Sequence, residues 1–255
     1  MDLPFLNTML FFKNEEIPFD PSIENYSELF DNVFKFYSRM LRESIKKTGI
    51  SNSSHLFLYT YLICDAKELS SILEDFSTLS VERKMPTNAH FIKFKEKVDY
   101  AGKGRDIRMF SHLINSKKIQ MKILKPSKIC ARYSKICKLW DNGNGVMVIR
   151  MFGEFSNEEA LSREYALIKA LGLNNLTNEI SGTCYGAMKD TWTENEIINF
   201  GNILLMNTLK SIIVDNPEII MDYNVNVIVN VNNDDEDDNL SKWEIDGMLK
   251  CLVDM

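Results

Sequence analysis

Histidine is scarce in this 255-residue chain, with three copies, and cysteine is thin and scattered, with five. Cys64, Cys130, Cys137, Cys184 and Cys251 are odd in number and widely spaced, and no two form C-x-x-C. That argues against a disulfide framework and against a zinc site, and fits free thiols in a reducing compartment. No apolar run approaches the ~20 residues needed to cross a bilayer. The opening "MDLPFLNTMLFFKNEE" has neither a basic leader nor a small-residue cleavage site. The expectation is an intracellular protein without a membrane partner, nuclear or cytoplasmic, a mitochondrial address staying open. No internal repeat is visible either.

What is present is ordinary on average and uneven in detail. A hydrophobic share of 45% and a charged share of 26% suit one globular core with additions at both ends. The net charge of −6 hides a division. From Arg83 to Lys138, sixteen Lys and Arg face three acids, a local +13 that leaves −19 for the remainder. Screening acts over about 8 Å at physiological salt, so such a segment presents its own sign to a polyanion whatever the total.

The periodicity sketches alternating elements. "NYSELFDNVFKFYSRMLRESIKK" places Leu29, Val33, Phe36 and Met40 at helical spacing. "GISNSS" reads as a linker and "HLFLYTYLIC" as a buried strand. A second strand is expected near Val98 to Ala101, and a helix opening just after Gly104. "SKICARYSKICKLWDNG" predicts a helix capped by Ser127, and Gly145 to Phe152 a third strand. Ser156 to Leu171 predicts a helix with a Ser156–Glu159 capping box, stopped by Gly172. Beyond Gly186, "TENEIINFGNILLMNTLKSIIV" is a long apolar helix, "YNVNVIVNV" alternates like a strand, and "NNDDEDDN" is an acidic loop.

The helix from Ser156 carries an anomaly. With Ala160 at zero and about 100° per residue, Glu164 falls near 40°, between Leu171 near 20° and Ile168 near 80°, while Glu159, Ser162 and Lys169 lie opposite. A carboxylate inside an apolar stripe needs a buried arginine, a metal ion, or a cleft in the core. A second cluster sits in "DYAGKGRDIRMFSHL", residues 99–113. Arg108 and His112 are one helical turn apart, Tyr100 ends the preceding strand, and Gly102–Lys103–Gly104 reads as a turn with amides suited to an anion.

These stretches resemble the GIY-YIG endonucleases, and more narrowly the branch found in ankyrin-repeat and LEM-domain nucleases. "YLICDAKEL" resembles the first motif strand, "YAGKGRDIRMFSHL" the tyrosine turn and its helix, and "EEALSREYALIKALGLNNLTNEISGTCYG" the metal-ligand helix through the closing Tyr-Gly. The resemblance runs from about Leu56 to Gly186. It implies an α/β (α+β) fold, a small central three-stranded antiparallel sheet flanked by helices over 51–188; the periodicity adds a helical N-terminal extension, 1–50, and a mixed C-terminal extension, 189–255.

It also implies a catalytic set of Tyr61, Tyr100, Arg108, His112 and Glu164. Glu164 is the ligand for Mg²⁺ or Mn²⁺, and Lys103, Arg105 and Asn178 lie on the substrate side. Asn178 fixes local structure rather than doing chemistry. Tyr61 fits the first motif tyrosine of this branch, whereas Tyr59 fits the generic pattern. Nearby positive charge is expected to lower a tyrosine enough for it to take the proton of the attacking water. The implied activity is hydrolysis of phosphodiesters in DNA, branched or otherwise structured DNA included. A module that binds nucleic acid without cleaving it is the alternative. Protein partners are not specified.

Overall fold

In the computed structural model, the described residues are 26–49, 58–69, 71, 86–105, 108–122, 130–214 and 220–223. Three long antiparallel strands form the centre: β1 (Leu58–Asp65), β2 (Val98–Arg105) and β3 (Val146–Phe155). β1 lies in the middle, pairing Tyr61 with Gly102 on one side and with Arg150 on the other. A short strand, β4 (Ile220–Tyr223), pairs with β3 and extends the order to β2-β1-β3-β4. The alternating pattern expected from Tyr223 onward thus begins at the end of β4, and its remainder lies outside the described residues. So do Ser127, the acidic run and most of the linker after Gly49.

Strand alternation divides the molecule into two apolar layers. Leu62 and Cys64 of β1 join Met147, Ile149 and Met151 of β3 in the larger one. Helices α1 (Tyr26–Lys47), α2 (Asn88–Glu96), α5 (Asn157–Leu171) and α7 (Glu194–Val214) contribute to it. Tyr59, Tyr61 and Ile63 face the other way. They pack with Tyr100, Val146 and Val148 under α3 (Arg108–Gln120) and α4 (Ala131–Asp141). A single turn, α6 (Ala187–Asp190), leads into α7. The fully buried stripe of α1 is Val33, Tyr37, Leu41 and Ile45; Phe36 and Met40 are only partly buried.

Two sequence expectations change here. Gly102–Lys103–Gly104 is not a turn but part of β2, and α3 opens at Arg108. The glycines serve close packing instead. A Cβ on Gly102 would come within 2.6 Å of Tyr100 Cε1 and 2.9 Å of Tyr61 Cζ, and one on Gly104 within 3.1 Å of Tyr59 Cζ. Helix α4 is likewise capped at Cys130.

The second change concerns α5. Two of the three residues expected on its polar face are buried, Glu159 at 1% exposed and Ser162 at 0%, as is neighbouring Arg163 at 2%, while Lys169 is partly exposed. Helix α7 covers that side, approaching so closely that Gly201 has no room for a Cβ against Ala166 O. Ser156 caps α5 by accepting from Glu159 N at 3.2 Å. The Glu159 carboxylate instead takes Arg163 Nε and Nη2 at 3.1 and 2.9 Å, and Arg42 Nε of α1 at 3.0 Å. The helix therefore holds a buried Glu–Arg pair, at Glu159 rather than Glu164.

Candidate active site

Tyr61 and Tyr100 come from adjacent strands, with ring centroids 5.8 Å apart over Gly102. The Tyr61 hydroxyl lies 2.8 Å from Nε2 of His112, one turn into α3. The Tyr100 and His112 rings meet edge to face at 5.1 Å. All three side chains are buried, by 92% or more of their surface. Tyr59 is directed elsewhere: its hydroxyl accepts from Met109 N at 3.2 Å, at the start of α3. Tyr61 is thus the hydroxyl of β1 that joins Tyr100 and His112.

Burial raises the pKa of both phenols, Tyr61 well above its ordinary value. The expected lowering by nearby cations is present but outweighed: Arg132 and Arg108 offset only part of the desolvation of Tyr100. Interaction between the two phenols raises Tyr61 and in part lowers Tyr100. The Tyr61 hydroxyl and His112 Nε2 share a hydrogen bond whose direction is set by the imidazole tautomer. Burial first, then Arg132 and Arg108, push His112 down to about 3.

Glu164 reaches the group from the other layer, around the edge of the sheet. It is half-buried, and burial raises its carboxyl pKa, against the Lys103 charge and a hydrogen bond from the Lys103 backbone. Its charge is felt by Tyr100. This bond belongs to a series along the outer edge of β2. Asp99 O accepts from Thr177 N at 2.7 Å. Ala101 N donates to Asn178 Oδ1 at 3.1 Å, and Ala101 O accepts from Asn178 Nδ2 at 2.8 Å. The L-T-N segment therefore pairs the open backbone of the edge strand, as an extra strand would.

The cations surround this edge. Arg108 is exposed on the first turn of α3, its charge acting on Tyr100 and His112, and Arg105 is exposed at the end of β2. Lys103 Nζ donates to Asn157 Oδ1 at 2.7 Å. One cation was missed by sequence reasoning. Arg132 of α4 lies with Cζ 3.9 Å from the centroid of the Tyr100 ring and Nη1 3.1 Å from both nitrogens of His112. Only its membership of the basic segment hints at it, because no motif spacing links it to the strands.

This constellation coincides with a family assignment. Residues 58–227 match the family model described as the LEM-3-like GIY-YIG domain. The chain belongs to that nuclease family. It is 29% identical over 143 residues to human ankyrin repeat and LEM domain-containing protein 1, covering 56% of this chain. It is 27% identical over 192 residues, 75% of this chain, to the Caenorhabditis elegans homolog. The mouse protein is 28% identical over 163 residues, 64% of this chain. The aligned regions span 22%, 25% and 28% of those relatives' own lengths. No solved structure matches.

A GIY-YIG nuclease domain implies a divalent metal, and the donor set bears on which kind. Among the described residues no cluster of three or more His, Cys, Asp or Glu can enclose an ion. A single half-buried carboxylate whose charge reaches a buried phenol fits a hard cation that keeps most of its waters, such as Mg²⁺ or Mn²⁺. It does not fit a closed zinc site. No described helix is long and apolar enough to cross a membrane.

Proposed function

We propose that this chain is a metal-dependent endonuclease that hydrolyses phosphodiester bonds in DNA, branched or otherwise structured DNA included. The observation that carries the reading is the convergence of two phenols, an imidazole and guanidinium groups with one half-buried carboxylate at the outer edge of β2.

Each residue has a chemical task. Glu164 would hold Mg²⁺ or Mn²⁺; when bound, the ion offsets charge on the scissile phosphate and the leaving oxygen. Arg108 pairs with phosphate oxygens and compensates charge as the phosphorus becomes pentavalent. Tyr100 accepts the proton of the attacking water or its hydrogen bond. Because burial keeps Tyr100 neutral at rest, it must first release its own O–H proton to solvent, and the phenolate that then takes the water proton is stabilised by the Arg132 charge, the hydrogen bond with Tyr61 and the Arg108 charge. Lys103 and Arg105 bind flanking phosphates. Asn178 keeps the β2 edge in place through Ala101.

The test is to incubate the purified chain with supercoiled plasmid, branched DNA, flaps and RNA hairpins, with Mg²⁺ or with EDTA. Cleavage of DNA with Mg²⁺ alone, lost in Arg108→Ala, supports the proposal. Salt-sensitive DNA binding with no cleavage under any condition would make this a binding module that has lost its chemistry.

A further inference from the structure

Arg132 occupies the right-angled corner between two aromatic side chains. The Tyr100 and His112 rings are inclined at 74°, and the guanidinium lies 3.9 Å from the centroid of the first. Its Nη1 is 3.1 Å from both His112 nitrogens. A nitrogen equidistant from both at that range cannot lie in the imidazole plane without overlapping the carbon between them. It therefore sits over the ring face. One cation thus covers the π-face of a phenol and of an imidazole at once. Its buried Nε has no hydrogen-bond partner; the guanidinium contacts these two rings, and its charge is felt by the Glu164 carboxylate.

Resting on the nuclease reading above, we propose that Arg132 is a positioning residue of the site, which locks Tyr100 and His112 in the orientation that aims both at Tyr61. Its helix is anchored for this purpose on either side. Lys135 Nζ meets Asp99 Oδ1 of β2 at 3.3 Å, and the Tyr133 hydroxyl accepts from Asn115 Nδ2 of α3 at 3.3 Å. The groups facing His112 are Tyr61 from β1, Tyr100 from β2, Arg108 from its own helix, and Arg132 and Tyr133 from α4. None of these is an anion that would favour an imidazolium. A planar guanidinium over the ring face adds charge repulsion against protonation there, in line with the depressed His112 value.

The experiment has two independent readouts on the full chain. The first is an NMR pH titration of His112, assigned with His112→Gln, in wild type, Arg132→Met and Arg132→Lys. Wild type should stay neutral through pH 5. Arg132→Met should titrate higher than wild type but still below the ordinary value of about 6.5, because burial and Arg108 still act, and Arg132→Lys should stay low because it keeps the charge. The second is steady-state cleavage. Arg132→Met should lose kcat on the order of 10²-fold with KM within a few-fold, since misplaced reacting groups cost about that much. Arg132→Lys, which cannot lie flat, should fall between. A His112 titration identical in wild type and in folded Arg132→Met would overturn the proposal. A rise in KM at constant kcat would do so too, by making Arg132 a substrate contact. Should wild type fail to cleave any substrate, the nuclease reading fails alone, and the titration still decides what Arg132 does to the rings.

Discussion

Glu159 and Glu164 stand five residues apart on one helix and meet opposite fates. Glu159 is 1% exposed and enclosed by Arg163 and Arg42. Glu164 is half-buried and receives the Lys103 backbone at the edge of the sheet, where its charge costs desolvation. One carboxylate holds helices together; the other is the proposed cation ligand.

Breaking the first should therefore be a stability lesion. Glu159→Gln leaves the Arg163 guanidinium buried beneath Phe155 and Phe200 with its charge uncompensated. Loss of one member of a buried ion pair costs about 3–5 kcal/mol. Urea unfolding should show that loss, while cleavage per folded molecule at low temperature stays within a few-fold of wild type.

Acid stability carries the signature of His112. Its folded value, about 3, lies below the unfolded value of about 6.5. The unfolded chain therefore binds an extra proton between those two pH values. The stability held above pH 6.5 is lost progressively as pH falls towards 3, by about 1.4 kcal/mol per pH unit in mid-window. The difference in unfolding free energy between wild type and His112→Gln, measured from pH 7 to pH 4, should shrink with that slope. A difference that stays constant would show that His112 titrates normally in the folded protein.

Gly102 is the floor beneath the two phenols. A methyl group there would lie 2.6 Å from Tyr100 Cε1 and 2.9 Å from its hydroxyl. Gly102→Ala should push both rings off their positions, at a cost of about 1–3 kcal/mol for overpacking. Cleavage should fall far more than the folded fraction does. Gly143→Ala, with nothing near its Cβ but a φ of +72°, serves as a control that perturbs stability without touching the site.

Asn178 should behave as a strut. Asn178→Ala removes both bonds to Ala101 and leaves a part-buried edge unpaired, worth about 1–3 kcal/mol. Amide hydrogen exchange at Ala101 should accelerate in the variant. Exchange at Ile63, paired with Tyr100 in the sheet interior, should change only by the global loss of stability.

The order of strands and helices was legible in the sequence because hydrophobic period and capping act locally. Ser156 does cap α5, and the three-stranded antiparallel sheet is present with β1 at its centre. What escaped depended on contacts distant in sequence. The G-K-G segment read as a turn because glycine usually marks one; here it makes room for phenols two residues before it and one strand away. Glu159 and Ser162 read as solvent-facing because a helical wheel assumes one buried side, and α7 supplies a second. Burial of Tyr100 outweighs its cationic neighbours, a balance that charge counting along the chain does not give. Arg132 was invisible because only the docking of α4 on the sheet brings it to Tyr100.

The most direct measurement is the single-turnover cleavage rate of Glu164→Gln, made on protein shown to be folded. The side chain keeps its shape and loses the charge that would hold the cation. Removing a desolvated carboxylate should leave the unfolding free energy equal or higher. The rate on whichever DNA wild type cleaves with Mg²⁺ should drop by about 10³-fold or more, several kcal/mol of transition-state stabilisation. A folded Glu164→Gln that cuts within a few-fold of wild type would contradict the account.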